Sequence, residues 1–563
     1  MVKRTLLGFA IVMIVFAGLR HSRAQSAGPS PEMIFFNAKV IKVDPKFTYG
    51  EAIAIAGGKI LAIGSSLEIR KLAGPQTRHI DLHGKIVIPG LIDAHIHTAG
   101  DGPGVDLSRV RTMDELLGAI AARVRGTKPG ELIVTNSGWH EGQLREQRLP
   151  LRRDLDKVSP DNPVIVMRGG QEYILNSAAL KKWNITKETP IPSEGQIRRY
   201  DDGELNGELA SQALKLVSLP AGPPKDMEAQ IQEQLAMHRK LHSQGLTSIR
   251  HPGMPIEQYR VLQEMERRGI LTMRVNFLFT GRQYQNAQEL GKALASWKVQ
   301  PDEGDAWLRV GGVKLFIDGS YEGAWMTKPY AEPYGKGGTY YGIELVPRDA
   351  FISMVRELGK RGYRVAVHAL GDASIDLVLD AFEAADRDQS IAGRRWVIEH
   401  GFIIRPDHIT RIKRLGVEIG VQRQLYIAAP SMKKFWGKDR AESVNSLRTL
   451  LDKKIDLAGG TDLNGLLLPT FYQFVTRNTI SDGAYAKDQR ITRQEALRLL
   501  TINNARLMFE DNIKGSLEPG KVADLVVLSD DIMTCPEQKI LDLTVLMTMV
   551  NGKIVFQHKD FQL

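Results

Sequence analysis

Two histidines one residue apart, His95 and His97, close the run Lys85-Ile86-Val87-Ile88-Pro89-Gly90-Leu91-Ile92-Asp93-Ala94-His95-Ile96-His97. Leu91 to Ile96 reads as a buried strand, and strand residues two apart share a face, so both imidazoles can meet one point in space. Converging neutral imidazoles are a natural start for a zinc-type site. A bare His-x-His is more often incidental, so further ligands must come from elsewhere in the chain. Other titratable residues end apolar runs in the same way: His368 after Val365-Ala366-Val367, His400 after Trp396-Val397-Ile398-Glu399, and Asp462 after Leu457-Ala458-Gly459-Gly460-Thr461. In the run Val310 to Ile317, Lys314 shares a face with Phe316 and Asp318 and can point inward. Each has a plain structural alternative. A strand-end histidine is usually a hydrogen-bonded core residue, Asp462 suits a helix cap, and an inward Lys314 can pair with Asp318 or Glu399. Together, four histidines, one carboxylate and one lysine are the hard-to-borderline ligands expected around one or two divalent metals, with zinc the first expectation.

The elements that must position these residues follow from the pattern around them. Short β-branched or apolar runs fill Met33 to Ile88, with Gly57-Gly58 as a hairpin turn, and recur in Ala523 to Leu528 and Val545 to Phe556. Short strands at both chain ends imply one small β-sandwich built from residues 31–88 and 505–563. Between them, apolar strands alternate with helices. The strands are Leu132–Val134, Val164–Met167, Thr247–Ile249, Met273–Phe279, Leu308–Ile317, Val365–Val367, Arg395–Ile398, Val417–Ile419 and Ile455–Ala458; the helices include Met227–Gln244, Ile256–Arg268, Pro347–Arg361, Ser374–Asp386 and Thr492–Leu500. About eight such units predict an α/β fold of the (β/α)8 type over residues 89–504, with chemistry at the C-terminal ends of its strands. Residues 101–220 are polar, rich in Pro and Gly, and too long for a connection, so they form an insertion near the barrel mouth.

Lys3 and Arg4, the apolar run Leu6 to Leu19 and the small residues before Gln25 predict a signal peptide over residues 1–24 and an exported, periplasmic or secreted protein. An uncleaved N-terminal anchor is the alternative, since Arg20, His21 and Arg23 crowd the cleavage point, although the run is shorter than the roughly 20 residues of a membrane span. The single cysteine, Cys535, excludes an internal disulfide and suits packing better than catalysis. The net charge of +10 is dispersed among acids without a basic block, which argues against nucleic acid as partner.

The motifs together resemble the metal-dependent amidohydrolase superfamily, and within it the family 3 amidohydrolases, the branch that includes N-substituted formamide deformylases. The resemblance covers almost everything after the signal segment. It is carried by Pro89 to His97, Gly138-Trp139, Asn176 to Leu180, Val313 to Ser320, His368 to Asp372, Glu399-His400-Gly401, Gly460-Thr461-Asp462 and Gly515 to Leu528. It implies that His95, His97, His368, His400 and Asp462 are metal ligands and that Lys314 stands where many relatives carry a carbamylated lysine bridging two metals; Trp139 and Gln171 are the substrate-binding candidates. It further implies hydrolysis of a carbon–nitrogen bond in a small-molecule amide, formamide or cyclic amide. The metal brings the pKa of a bound water down to about 7, and Asp462 shuttles its proton to the leaving amine. His368 or His400 either binds metal or steadies the oxyanion. The chain departs from the family pattern at Gly170-Gln171, where relatives carry Gly-His, and at Leu463-Asn464, where Ser-Asp is commoner. Trp139, His140, Arg168, Gln171 and Tyr173 of the insertion are candidates for the pocket wall. The loss of histidine at Gln171 motivates an alternative, a periplasmic binding or structural homologue that retains metal without turnover. A basic surface binder of membrane or nucleic acid is a third, disfavoured by the absence of a clustered patch. A homo-oligomer is left open.

Overall fold

A computed structural model describes residues 30–98, 104–169, 172–192, 195–220 and 225–562. Its centre is a ring of eight parallel strands: β1 (Leu91–Asp93), β2 (Leu246–Met254), β3 (Arg274–Thr280), β4 (Leu308–Phe316), β5 (Val365–Ala369), β6 (Val397–His400), β7 (Glu418–Gln422) and β8 (Leu457–Gly460). Neighbours pair in chain order, and Ala94 N–H bonds Gly459 O at 3.1 Å where β8 returns to β1, closing the ring. Buried on both faces, these strands are nearly continuous apolar runs, as a parallel sheet covered by helices requires. The covering helices include Met227–Ser243, Ile256–Arg267, Arg348–Lys360 and Asp372–Asp388. Local chemistry starts them where expected: the Asp226 side chain accepts from Ala229 N–H, and Asn286 accepts from Glu289 N–H ahead of Ala287–Trp297.

The strands of both chain ends meet in one place. A six-stranded sheet runs Lys553–Gln557, Val545–Val550, Leu525–Leu528, Ile86–Pro89, Lys39–Ile41, Tyr49–Gly50, and a four-stranded sheet joins Lys59–Gly64, Ala52–Ala56, Met33–Phe36 and Arg78–Asp81. They share a core of Phe35, Val40, Ile53, Val87, Leu525, Val527 and Met547. This sandwich is tied to the N-terminal end of the barrel, where Arg274 at the start of β3 makes a bidentate pair with Asp524 at 2.7 and 3.1 Å. Structural ion pairing at that end leaves the opposite end free for chemistry.

Two of the strands read from sequence as barrel units belong elsewhere. Ile133–Val134 and Val164–Arg168 lie in a separate five-stranded sheet of the insertion, with Glu172–Leu175, Leu205–Ser211 and Gly195–Arg199. Periodicity identifies a buried strand but not the sheet that receives it. The first barrel strand also ends earlier than Ile96. The Asp93 carboxylate captures His95 N–H at 3.0 Å, which bends the chain away from the ladder. Among the described residues no helix is long and apolar enough to cross a membrane. The segment read as a signal peptide, residues 1–24, lies outside the described residues.

Candidate metal centre

The C-terminal ends of the barrel strands bring His95, His97, Lys314, His368, His400 and Asp462 around one cavity of about 450 Å³. His95 and His97 follow β1 rather than lying in it, yet their Nε2 atoms stand 3.3 Å apart. Asp462 Oδ1, past the end of β8, lies 3.1 Å from His95 Nε2 and 3.3 Å from His97 Nε2. The His400 ring stands 4.9 Å from that of His95 and 4.6 Å from that of His368. His95, His400 and Asp462 each offer a ligand atom within 4.8 Å of the others.

Neighbouring groups fix the orientation of these side chains. His95 Nδ1 meets Glu399 Oε2 at 2.8 Å, so Nδ1–H donates and Nε2 keeps its lone pair toward the site. Glu399 is held in turn by Arg250, whose guanidinium also donates to Ala94 O at 3.2 Å. Gln422 Oε1 lies 2.8 Å from His400 Nδ1 and so directs Nε2 of His400 inward. His368 Nε2 lies 3.1 Å from Gly319 O, which makes Nε2 the proton-bearing nitrogen and leaves Nδ1 a lone-pair donor. Such a tautomer suits a ligand rather than an oxyanion donor. Gln424 Nε2 donates to Asp462 Oδ2 at 2.8 Å. Asp93 ties the two ends of the ring together, accepting His95 N–H at 3.0 Å, Thr461 N–H at 3.1 Å and Thr461 Oγ1–H at 2.7 Å. Burial outweighs these hydrogen bonds and pushes its carboxyl up to about 6.

The backbone is strained where the ligands sit. His400 has φ of +76° and Asp462 +61°, a left-handed conformation that side chains rarely adopt. Such strain costs on the order of 1–3 kcal/mol per residue and persists where surrounding contacts over-determine it. Here a 2.6 Å bond from Asp462 N–H to His95 O helps to hold the turn.

The arrangement fits a metal ion. His95 Nε2, His97 Nε2 and Asp462 Oδ1 form a triangle with sides of 3.1 to 3.3 Å. A tetrahedron of ~2.05 Å metal–ligand bonds has edges of about 3.3 Å. Three lone-pair donors crowded this closely are satisfied by a cation and otherwise only by shared protons. Burial opposes charge on His95 and so does Lys314, but Glu399 and Asp462 outweigh them and raise its pKa. Metal uptake therefore displaces a proton. Burial also opposes charge on Asp462, yet His400 and His95 hold it well below the usual carboxylate range.

Lys314 pairs with neither Asp318 nor Glu399. Its Nζ lies 3.4 Å from His95 Nε2, fully buried. Asp318 accepts instead from Leu370 N–H, Gly371 N–H, Trp325 N–H and Ser374 Oγ–H. Burial is the main cause that lowers the Lys314 ammonium to about 8. Well below pH 8 both folded and unfolded chains carry the proton, and the burial penalty is fully present. Between 8 and 10.5 the unfolded chain binds more protons, so stability rises with pH in that window. The metal-free wild type is expected to gain about 3 kcal/mol across it relative to Lys314→Met. Equal pH slopes for the two in denaturant titrations exclude this.

Of the insertion residues, Trp139, His140 and Arg168 line the cavity. Trp139 is buried, with its indole N–H donating to Met167 O at 2.6 Å. Tyr173 is not among the lining residues, and Gln171 lies outside the described residues. Glu399, Arg250, Gln422, Gln424 and Asp93, which brace the ligands, were not read as site residues from the sequence; Glu399-His400 and the Asp two residues before His95 were the available signals.

A family model described as the amidohydrolase family matches residues 78–556. The chain is 28% identical to the N-substituted formamide deformylase of Arthrobacter pascens, over 93% of this chain and 98% of that one. A metal-dependent hydrolase of Pyrococcus furiosus superposes with a TM-score of 0.64 at 26% identity, covering 89% of this chain and all of the other. One from Pyrococcus horikoshii OT3 superposes at 0.66 with 24% identity, over 90% of this chain and 99% of that one. A strand-end set of lone-pair donors fit for a divalent ion and a family match across most of its length lead to one conclusion: the chain belongs to the amidohydrolase family and is a metal-dependent hydrolase acting on carbon–nitrogen bonds.

Proposed function

We propose that the protein hydrolyses an N-substituted amide, formamide or cyclic amide at the cavity described above. The observation that carries this is the triangle of His95, His97 and Asp462, with His400 beside it. The similarity to a formamide deformylase along nearly the whole chain supports the substrate class. His95, His97, His400 and Asp462 would hold one divalent ion, zinc by donor type, and His368 and Lys314 a second. The lowered Lys314 amine is partly unprotonated near neutral pH, the form that carbamylation requires. Bound metal supplies Lewis acidity to the carbonyl and acidifies water.

The chain's own groups do the rest. Asp462, anionic at neutral pH, takes the proton of the attacking water and returns it to the leaving nitrogen. Gln424 holds its second oxygen at 2.8 Å, which fixes the carboxylate plane. Tyr321 lines the same cavity, and burial keeps its hydroxyl protonated and able to donate to the carbonyl oxygen. Trp139, Phe316, Leu345 and Ile427 supply an apolar wall for the substituent on nitrogen.

Metal content per chain after purification without chelator tests this reading. Wild type is expected to carry bound zinc-like ion, and the double variant His95→Ala, His97→Ala to carry none. Metal-free wild type that takes up no added ion overturns the proposal. Fully loaded protein that cleaves nothing in a panel of amides, formamides and lactams supports a metal-retaining homologue without turnover. Export is proposed from residues 1–24, and cell fractionation with N-terminal sequencing of the mature protein checks it.

A further inference from the structure

A second cavity, of about 690 Å³, lies on the other side of the wall formed by Gly138, Ile427 and Leu463, which line both spaces. Its lining contains Arg109, Arg111, Lys240 and Arg423 and, among the described residues, neither aspartate nor glutamate. Arg423 follows the end of β7 and is 5% exposed. A guanidinium so buried is ordinarily matched to a carboxylate. This one donates from Nη2 to the neutral Asn464 Oδ1 at 2.5 Å, and its Nε has no acceptor. Its nearest carboxylate influence, Asp93, is spent on Thr461 and His95 N–H, and Arg111 adds a like charge. Burial accordingly lowers the Arg423 guanidinium to about 10. Arg111 stands at the rim, its guanidinium donating to the carbonyls of Ser108 and Val110 while its backbone N–H donates to Glu115 Oε2 at 2.7 Å. Lys240 sits beside Asp106, and His558 is paired with Asp560 at 3.7 Å. The remaining wall is apolar, with Leu467, Leu541, Val545 and Phe556 among its residues.

We propose that this cavity binds an amphiphilic organic carboxylate, its anionic head on Arg423 and Arg111 and its tail along Leu467, Leu541, Val545 and Phe556. The head satisfies the buried positive charge that no protein carboxylate meets, and the tail removes apolar wall from water. Asn464, which departs from the family pattern in sequence, is the neutral partner that leaves Arg423 available. The site is separate from the catalytic cavity, and its occupancy is independent of hydrolysis.

Isothermal titration of the full-length protein with octanoate, and with 1-octanol as its uncharged counterpart, tests this. Octanoate is expected to bind stoichiometrically and 1-octanol about tenfold more weakly or less. Arg423→Met should weaken octanoate by about tenfold or more. Arg111→Ala, on the exposed rim and without consequence for folding, should weaken it by about threefold. The metal-free variant His95→Ala, His97→Ala should bind octanoate like wild type, since the head does not sit on metal. Absence of saturable binding, equal binding of the two probes, wild-type binding in Arg111→Ala and Arg423→Met, or binding confined to metal-loaded protein each overturns the proposal.

Discussion

Asp462→Asn is expected to lower kcat for an alkyl amide by about a thousandfold while the protein stays folded and retains metal. General acid–base groups contribute on the order of 10²–10⁴ in rate, and Asp462 has both halves of the proton transfer to perform. Its geometry is specific to that task. Oδ1 lies against His95 and His97, and Oδ2 is fixed by Gln424, so one oxygen faces the ligand histidines and the other is oriented by a neutral donor. The amide of asparagine keeps the size and one acceptor but cannot take a proton. Metal affinity falls somewhat as well, because a carboxylate ligand becomes neutral, so kcat is measured at saturating ion with bound metal assayed in parallel. A second substrate separates shuttle from ligand. For a nitrophenyl ester the leaving group departs as a stabilised anion and needs no proton, so the defect should shrink by about tenfold relative to the alkyl amide. Full turnover by loaded Asp462→Asn sinks the shuttle role; an equal defect on both substrates leaves Asp462 a ligand alone.

The residues that converge on the site were legible because chemistry-bearing side chains interrupt apolar runs in a way that packing does not favour. His368 and His400 stand next to or at the end of a barrel strand and Asp462 two residues past one, each after buried residues that are mostly apolar, and a parallel ring places all such ends on one rim. Lys314 was legible from strand alternation alone, its face being shared with Phe316, and both residues line the cavity. The composite sandwich was legible for a similar reason, since turn-bounded short strands at the two ends can complete a core only together. What was hidden is tertiary. Arg250 lies inside a strand, and nothing local says that its partner is 149 residues away on β6. The assignment of Ile133–Val134 to the insertion sheet rests on pairing with Val164–Ile165 rather than with a barrel strand. The early end of β1 depends on an Asp93 hydrogen bond that competes with the ladder. Arg423 reads in sequence as an ordinary strand-end arginine, and only burial against a neutral partner sets it apart.

Glu399→Leu is expected to have the largest effect on folding of any single change near the site, costing about 3–5 kcal/mol in the metal-free protein. The carboxylate is 1% exposed and binds two cationic partners at once, Arg250 through Oε1 and His95 Nδ1 through Oε2. Burial opposes its charge, but Arg250, His95 and Lys314 outweigh it and hold the carboxyl well below the usual range. Because the folded pKa is depressed, this contribution is present above the unfolded value of about 4.5 and is lost only as pH falls through the lower folded value. Leucine fills the space but leaves the Arg250 guanidinium, 3% exposed, with Ala94 O as its remaining acceptor. Glu399→Gln should be milder, since an amide can accept from one partner though not from both. Metal binding suffers independently of stability. Without an acceptor on Nδ1, the His95 ring is free to rotate and to change tautomer, and losing such a support typically costs 10–100-fold in metal affinity. The two effects are read separately, as the denaturant midpoint of chelated protein and as the dissociation constant of zinc at a fixed denaturant-free pH. A variant that keeps both values of the wild type would show that Arg250 and His95 find other partners, and that Glu399 is dispensable to the strand-end geometry. A fall in midpoint with unchanged metal affinity would confine it to holding the barrel together.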